Sequence, residues 1–123
     1  MVGSSYSPSL TYPWGDNYEV GRANCDEPGS DLAAGTYLQR TSAVGIYPNH
    51  SPEGVADLSG NVWEWCADPF DPKDQAEGAS RVLRGGSWND NARSLRVSFR
   101  NHYGPVSRSS DVGFRVCRSS PIE

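Results

Sequence analysis

The side chains with the most potential for chemistry, cysteine and histidine, are few in this chain and widely spaced. The cysteines are Cys25, Cys66 and Cys117, and the histidines are His50 and His102. No pair of them has the short Cys-x-x-Cys or paired-histidine spacing that zinc sites use. An odd number of cysteines also leaves a disulfide framework incomplete. We therefore expect neither a zinc site nor a set of disulfides, and we interpret both histidines as loop residues.

A polar stretch near the C-terminus has an unusual composition. Residues 98–111 read SFRNHYGPVSRSSD, and apart from Phe99, Pro105 and Val106 they are Arg, Asn, His, Tyr, Gly, Ser or Asp. The stretch lacks the period of two that a buried strand requires, and Gly104 and Pro105 interrupt a helix. The segments on either side, RVLRGGSW and VGFRVC, have the pattern of partly buried framework. We therefore predict a polar loop that two ordered segments hold in place.

Composition and charge exclude several classes of protein. Hydrophobic residues make up 36% of the 123 residues and charged residues 21%, which is typical of a globular domain with one core. The net charge of −4 disfavours general nucleic-acid binding, which requires a basic face. No apolar run approaches the roughly 20 residues of a membrane span, and the first residues lack the basic and apolar regions of a secretory signal. We expect a cytoplasmic protein with no nucleic-acid or membrane partner.

Short regular elements must position the polar stretch. Alternation of Trp63 and Trp65 with their neighbours predicts a strand over residues 61–66, NVWEWC. RVLRGGSW predicts a strand that ends at a glycine pair, GFRVC predicts a final strand, and NARSLRVSF predicts one or two helical turns. With 13 Gly and 9 Pro, the predicted fold is α+β, irregular and loop-rich. Large aromatic residues should supply much of the core, and those expected to be buried are Trp63, Trp65, Trp88 and Phe114.

Three segments together carry a resemblance to a known family. YPWGD stands near the start, LSGNVWEWCAD in the middle, and RVLRGGSW followed by GFRVC near the end. In this order they resemble the formylglycine-generating enzyme (sulfatase-modifying factor) family, whose core is a variant of the C-type lectin fold. The resemblance covers residues 12–118, corresponds mainly to the C-terminal part of a full family domain, and implies a C-type-lectin-like domain there. Residues 1–11 and 119–123 are predicted to be flexible tails.

The resemblance does not extend to the catalytic cysteines of the family. The formylglycine-generating enzymes use two cysteines shortly after the GGS motif to bind copper, and a pair of soft thiolates suits Cu(I). The corresponding stretch here, SWNDNARSLRVSFR, contains no cysteine. Related enzymes of the ergothioneine pathway need a set of iron-binding histidines, which His50 and His102 do not supply. We therefore expect no bound copper and no catalytic activity.

The middle motif resembles a calcium site of the family. Carried over by position, Asp57 and Glu64 supply carboxylates while Gly60 and Val62 supply main-chain carbonyls. Hard oxygen ligands of this kind suit Ca²⁺. The resemblance therefore implies a calcium site at these residues. Two alternatives remain open for Glu64, which either forms an ion pair with a buried arginine or caps a loop.

The C-terminal region also resembles the variable region of diversity-generating retroelement proteins. Those proteins display mutated side chains on a lectin-type scaffold, and adenines in the Asn codons of a template are replaced during copying. Residues 88–115 resemble the pattern of such templates without gaps, with departures at Ala92, Arg93, Val97, Ser98 and Val106. The matching framework positions are Trp88, Leu95, Arg96, Arg100, Pro105, Arg108, Gly113, Phe114 and Arg115. The positions interpreted as substitutable, and so as ligand-binding, are Asn89, Asp90, Asn91, Ser94, Phe99, Asn101, His102, Tyr103, Gly104, Ser107, Ser109, Ser110 and Asp111.

The residue types at the substitutable positions agree with adenine replacement. From AAC or AAT, changes at the adenines alone reach Ser, Asp, His, Tyr, Gly and Phe, and every substituted residue belongs to this set. Tyr supplies rigid contact area while Ser, Gly and Asn supply adaptable hydrogen bonding, as in antibody paratopes. Arg96, Arg100 and Arg108 are predicted to anchor the loop through charge-assisted hydrogen bonds to buried carboxylates or carbonyls. The alternative is that these arginines are solvated surface charges.

These observations favour a non-catalytic display domain. We predict a C-type-lectin-fold domain, generated by a diversity-generating retroelement, whose diversified C-terminal surface binds variable targets. The partner is then a protein or another macromolecule that the sequence does not identify. The alternative is a formylglycine-generating enzyme of the sulfatase-modifying family, or an inactive fragment of one. A third interpretation, a regulatory or sugar-binding lectin, is weakened because the EPN and QPD triplets of calcium-dependent sugar lectins are absent.

Overall fold

Four short strands form one mixed sheet in the computed structural model, which describes residues 10–27, 29, 37–48 and 50–120. The sheet has the order β3-β2-β1-β4. Its strands are β1 (Trp63–Pro69), β2 (Arg81–Arg84), β3 (Asn101–Tyr103) and β4 (Val112–Gly113). Strand β2 is antiparallel to both β1 and β3, whereas β4 is parallel to β1. The predicted tails fall largely on residues 1–9 and 121–123, which lie outside the described residues.

Helical structure is sparse in this fold. A 3₁₀ helix covers Ala92–Leu95, which confirms the predicted helical turn, and it buries Leu95. Within the described ranges there is no α-helix, so strands and loops make up the fold and the α part of the predicted α+β class is not established. None of the helical structure in those ranges is long and apolar enough to cross a membrane.

The strands agree with the sequence patterns in part. Strand β2 is the predicted strand that ends at a glycine pair. Strand β1 begins at Trp63 because Asn61 has a φ of 71°, in the left-handed region that a strand does not use. The prediction of a strand over GFRVC is wrong, because β4 consists of Val112 and Gly113 and ends before Phe114.

Strand β3 lies inside the stretch that was predicted to be a loop. Its residues pair with β2, so that His102 lies opposite Val82 and Asn101 opposite Leu83. Both partners on β2 are buried, and pairing with an ordered neighbour overrides a weak local preference for strand. The prediction of a continuous loop over residues 98–111 is therefore wrong at Asn101–Tyr103, which form an edge strand of the sheet.

Two groups of buried side chains make up most of the core among the described residues. The first surrounds the N-terminal aromatic residues and consists of Tyr12, Ala23, Cys25 and Leu95. The second lies in the sheet and consists of Trp63, Val82 and Leu83. Ring contacts extend the first group, because Trp14 stacks on Tyr12 at 5.1 Å between centroids and Tyr18 meets Tyr12 edge-on at 5.5 Å. Aromatic pairs in these geometries add to the stabilisation that burial provides.

The expected burial of the large aromatic residues holds only in part. Trp63 is 2% exposed, which confirms its prediction. Trp65 and Trp88 are half-buried. Phe114 is 74% exposed, so the prediction that it is buried is wrong. The reason is that β4 ends at Gly113 and no strand pairing continues to bring the next side chain into the core.

Two glycines allow main-chain segments to touch directly. The Gly60 N–H donates to the Gly85 carbonyl at 2.8 Å. A Cβ added at Gly60 would lie 2.7 Å from the Asn24 carbonyl oxygen, and one at Gly85 would lie 2.6 Å from the Leu58 carbonyl oxygen. Both glycines have positive φ, 80° and 99°. Any other residue would therefore strain the backbone and also push these segments apart.

Replacement of Gly60 tests whether this close approach stabilises the fold. Gly60→Ala is expected to lower the free energy of unfolding by about 3 kcal/mol, because left-handed backbone strain and overpacking each cost 1 kcal/mol or more. Gly54→Ala is the matched control, since Gly54 has a φ of 85° but no atom within 4 Å of an added Cβ. The control should lose only about 1 kcal/mol. Denaturant unfolding measures both values, and equal losses would show that the contact with Asn24 is unimportant.

Candidate ligand-binding surface

Main-chain hydrogen bonds hold much of the segment that carries the predicted ligand-binding positions. Strand β3 is attached to β2 through backbone atoms. The Ser107 N–H donates to the Gly104 carbonyl at 3.0 Å, and the Trp88 indole Nε1–H donates to the Ser110 carbonyl at 3.3 Å. On the segment itself these bonds use N–H and carbonyl groups, which nearly every residue type provides. The side chains of the segment are therefore not needed for this part of its support.

The predicted ligand-binding positions differ in exposure. Those with exposed side chains are Asn89, Asn91, His102, Ser107, Ser109 and Ser110. Those that are half-buried are Asp90, Ser94, Phe99, Asn101, Tyr103, Gly104 and Asp111. Four of the six exposed positions fall within residues 102–110, so this segment is the most accessible part of the predicted surface.

Two of the half-buried positions support the fold through their side chains. The fully buried Ser87 donates its Oγ–H to Asp90 Oδ2 at 2.6 Å, and the same Oγ lies 3.2 Å from Asp111 Oδ2. Asp90 Oδ2 also accepts the main-chain N–H of Ser87 at 3.1 Å. Loss of the Asp90 carboxylate would leave the buried Ser87 N–H without its acceptor and the Ser87 hydroxyl with only its longer contact to Asp111, which is costly. Asp90 and Asp111 therefore belong to the framework as well as to the predicted surface.

Phe99 and Asn91 also have structural roles. The Phe99 ring lies 6.0 Å from the Trp63 ring between centroids, and the Arg96 guanidinium carbon lies 5.6 Å from the Phe99 centroid. Asn91 caps the 3₁₀ helix, because its Oδ1 accepts the Arg93 N–H at 3.1 Å. The unexpected phenylalanine in a polar stretch is thus explained by packing against the buried tryptophan.

The predicted arginine anchors bind carbonyl oxygens. Arg96 donates from Nε to the Arg93 carbonyl at 2.8 Å. Arg100 donates from Nη2 to the Phe70 carbonyl at 2.9 Å. Both acceptors are carbonyl oxygens, but both hydrogen bonds are exposed, so these are not the buried acceptors that were predicted. Arg108 is exposed, which fits the alternative of a solvated surface charge.

Arg100 and His102 contact the same aromatic ring. The Arg100 guanidinium carbon lies 4.6 Å from the Phe70 centroid, and the His102 ring lies 4.3 Å from it. A guanidinium near the face of a ring is attracted by the π electrons. Sequence reasoning missed Phe70, because it stands 30 residues before Arg100 and only the sheet brings the two together.

Arg115 binds the residues that were predicted to hold calcium. Its Nε donates to Glu64 Oε1, and its Nη2 donates to Glu64 Oε2 at 3.2 Å and to the Asp57 carbonyl at 3.0 Å. Asp57 Oδ2 accepts the Gly45 N–H at 2.7 Å. The geometry matches the alternative in which Glu64 forms an ion pair with an arginine, although this arginine is itself half-exposed.

The calcium site requires a different arrangement around Glu64. Burial raises the pKa of Glu64 above its usual range, while the hydrogen bond to Arg115 opposes that rise. A Ca²⁺ ion at Glu64 would have to replace the guanidinium, since two cations at one carboxylate repel each other. The part of the chain that the structure describes has no group of three or more His, Cys, Asp or Glu side chains able to hold a metal. Calcium binding by Asp57, Gly60, Val62 and Glu64 stays a prediction.

The cysteines are not paired with one another in the structure. Cys25 is buried, and its Sγ lies 3.2 Å from the Tyr18 hydroxyl, which itself donates to Glu27 at 2.7 Å. Burial raises the pKa of the Cys25 thiol to about 12, so the thiol is protonated and unreactive at neutral pH. Cys66 is half-buried and Cys117 is exposed. No pattern in the sequence indicated the buried contact between Tyr18 and Cys25.

Comparisons with known proteins agree with the resemblances seen in the sequence. A family model, the sulfatase-modifying factor enzyme 1-like domain, matches residues 5–120. The inactive C-alpha-formylglycine-generating enzyme 2 of Mus musculus is 38% identical over 89% of this chain. The formylglycine-generating enzyme of Streptomyces coelicolor is 33% identical over 90% of it. Among solved structures, Treponema denticola variable protein 1 superimposes on 76% of the chain with 30% identity and a TM-score of 0.58.

The matched region is a minor part of each of these relatives. The chain covers 36% of the mouse protein, 41% of the Streptomyces coelicolor enzyme and 34% of the Treponema denticola protein. One relative is named as inactive and another as an enzyme, so similarity alone does not decide between catalysis and binding.

A calcium titration with two variants tests the predicted metal site. If Asp57 and Glu64 bind calcium, millimolar calcium should raise the Tm, because an ion that binds only the folded state stabilises it. The rise should be larger in Arg115→Gln, where no guanidinium competes, and absent in Glu64→Gln. The titration is followed by thermal melting, with magnesium as the control ion because it demands tighter octahedral geometry. An unchanged Tm in both the unaltered protein and Arg115→Gln would reject the site.

Proposed function

The chain belongs to the sulfatase-modifying factor enzyme 1-like domain family, and from that premise we propose that it is a non-catalytic ligand-binding domain. Its C-terminal surface, diversified by a retroelement, binds variable protein or other macromolecular targets. The family fold supplies a scaffold, and a fold by itself does not determine an activity. The function therefore depends on which side chains residues 88–115 present to solvent.

The observation that carries the proposal is that main-chain hydrogen bonds hold the segment in place, while its exposed side chains face solvent. Between His102 and Ser110 the Ser109 hydroxyl donates to Asp111 Oδ1. The other hydrogen bonds that support the segment run through its main-chain atoms, in β3, in the turn at Gly104 and at the Trp88 indole. Replacement of the exposed side chains leaves these bonds in place. Exposed substitutions usually change stability by less than about 0.5 kcal/mol each. A segment supported in this way tolerates many surface sequences.

Not every position in the variable region is equally suited to recognition. The exposed side chains best placed to meet a ligand are His102, Ser107, Ser109 and Ser110. The half-buried Tyr103 adds aromatic area beside them. Asp90 and Asp111 tolerate few replacements in this proposal, because the buried Ser87 lies between their carboxylates. The recognition surface is thus smaller than the whole set of substitutable positions.

Similarity to Treponema denticola variable protein 1 supports the proposal. That protein is called variable, and it matches 76% of this chain. The sequence identity of 30% shows that the two proteins share more than a fold. The residues at the substitutable positions also belong to the set that adenine replacement in Asn codons reaches. These two observations are independent, since one rests on structure and the other on the genetic code.

The alternative function is formylglycine generation, or an inactive remnant of it. Family membership and the similarity to the Streptomyces coelicolor enzyme favour this alternative. The lack of any cysteine in residues 87–100, where the resembled enzymes place their copper-binding pair, opposes it. The thiol of Cys25 does not substitute for that pair, because burial keeps it protonated.

Two libraries of variants test whether the exposed residues between 102 and 110 contact a ligand or support the fold. A library randomised at His102, Ser107, Ser109 and Ser110 is expected to remain mostly folded and to yield binders when it is selected against a panel of purified proteins. Folding is measured as protease resistance of the displayed domain, and binding as enrichment on each target. Binders to several unrelated targets would support the proposal, whereas a folded library that never yields binders would contradict it.

The control library is randomised at Ser87, Asp90 and Asp111. Most of its members are expected to unfold, because a buried polar group that loses its partner costs about 1–3 kcal/mol. Should the first library lose folding as often as this control, residues 102–110 are core structure and the display function is wrong.

An assay with a sulfatase peptide tests the enzymatic alternative. The purified chain, supplied with copper and oxygen, is expected to leave a cysteine-containing sulfatase peptide unchanged, because it lacks the thiolate pair that would bind the copper. Mass spectrometry of the peptide measures conversion, and the Streptomyces coelicolor enzyme is the positive control. Conversion of the cysteine by this chain would establish the alternative instead.

A further inference from the structure

One cluster within residues 88–115, the proposed ligand-binding region, combines an arginine from the framework with an exposed, substitutable histidine. Arg100 immediately precedes β3 and His102 lies within it, and contact with one aromatic ring places their side chains together. Both contact the ring of Phe70, at 4.6 Å and 4.3 Å from its centroid. Phe70 thus supplies one platform on which a cation and an imidazole are held side by side.

The guanidinium of Arg100 is oriented but not saturated. Within the described residues it donates one hydrogen bond, from Nη2 to the Phe70 carbonyl at 2.9 Å, and its guanidinium carbon lies 4.6 Å from the centroid of the same residue's ring. A guanidinium has five N–H donors in a fixed planar fork, and two parallel donors match the oxygens of a carboxylate. Because Arg100 is exposed and its position is set by two contacts, little side-chain freedom remains to be lost when it binds.

We propose that Arg100 and His102, held on Phe70, bind a carboxylate group on the protein target. This inference rests on the proposed display function and adds a preferred chemistry to it. Arg100 is a framework position, so the preference for an acidic group persists while His102 and its neighbours change. His102 donates a second hydrogen bond in the sequence present here, and its replacement tunes the affinity.

The charges around the cluster favour a single carboxylate over a polyphosphate. The segment that contains Phe70 carries exposed acidic side chains on both sides of it, at Asp68, Asp71, Asp74 and Glu77. The whole chain has a net charge of −4. A nucleic acid would bring many phosphates within reach of these carboxylates and would be repelled. One carboxylate on a protein surface meets the guanidinium without placing further negative charge nearby.

Three libraries separate this inference from the proposed function. Each randomises Ser107, Ser109 and Ser110 and keeps His102. The first retains Arg100, the second carries Arg100→Gln, and the third carries Arg118→Gln as a control, because Arg118 is an exposed positive charge outside residues 88–115. All are selected against immobilised peptides in matched pairs that differ only in Glu or Gln at one position. Thermal melting of each parent protein shows whether it is folded before selection.

Members from the first and third libraries are expected to prefer the Glu peptides by about fivefold, the upper range for an exposed charge pair. Members from the Arg100→Gln library should show no preference. If Arg100→Gln does not fold, Arg100→Lys replaces it; this variant keeps the charge but lacks the planar fork, and it should show a reduced preference.

The outcomes distinguish the inference of carboxylate binding from the proposed display function. An equal preference for Glu in the presence and absence of Arg100 overturns the inference and leaves the display function intact. Binders from none of the libraries overturn the display function itself. Stronger binding to an oligonucleotide or to a phosphorylated peptide than to the Glu peptides, lost in Arg100→Gln, would overturn the assignment to a carboxylate.

Discussion

The rest of the structure depends on two main-chain segments that meet without a side chain between them. Gly60 donates to the Gly85 carbonyl at 2.8 Å, and each glycine also lies against a further carbonyl, that of Asn24 or Leu58. Left-handed backbone and the lack of a Cβ are required together at both positions, and only glycine provides both. This contact joins the middle motif to the glycine pair after β2. It therefore determines where Trp88 and the variable region begin.

A polar network extends this junction toward the display surface. Asn61 Oδ1 accepts the Ser42 N–H at 2.9 Å and the Asn24 side-chain amide at 3.3 Å, while the Asn61 carbonyl accepts the Trp88 N–H at 2.9 Å. Polar groups inside a protein need such partners, and satisfied networks make a local structure rigid. The indole of Trp88 then holds the Ser110 carbonyl. These residues thus hold the exposed segment at Ser110 in place, and in the proposed function they do not contact the ligand.

The proposed surface contains both residues that must be kept for folding and residues that can be replaced. Ser87 lies between the carboxylates of Asp90 and Asp111, whereas His102 stands exposed beside the anchored Arg100. A binding surface whose sequence changes must keep the first kind of group to remain folded. It gains new specificity from the second kind, because adaptable polar and aromatic side chains make contacts at little structural cost. In this proposal the fold limits diversity at some substitutable positions and permits it at others.

Residue identity and local pattern by themselves determined the family motifs and the strand that ends at the glycine pair. They also determined the helical turn that ends at Leu95 and the lack of a cysteine pair after the GGS motif. These features depend only on neighbouring residues. Tertiary structure alone decided that β3 pairs inside an apparent loop and that Phe114 is exposed. It also decided that Arg115 reaches Glu64, 51 residues earlier. Burial and pairing of this kind depend on which distant segments of the chain come into contact. The local periodicity of the sequence does not indicate which segments these are.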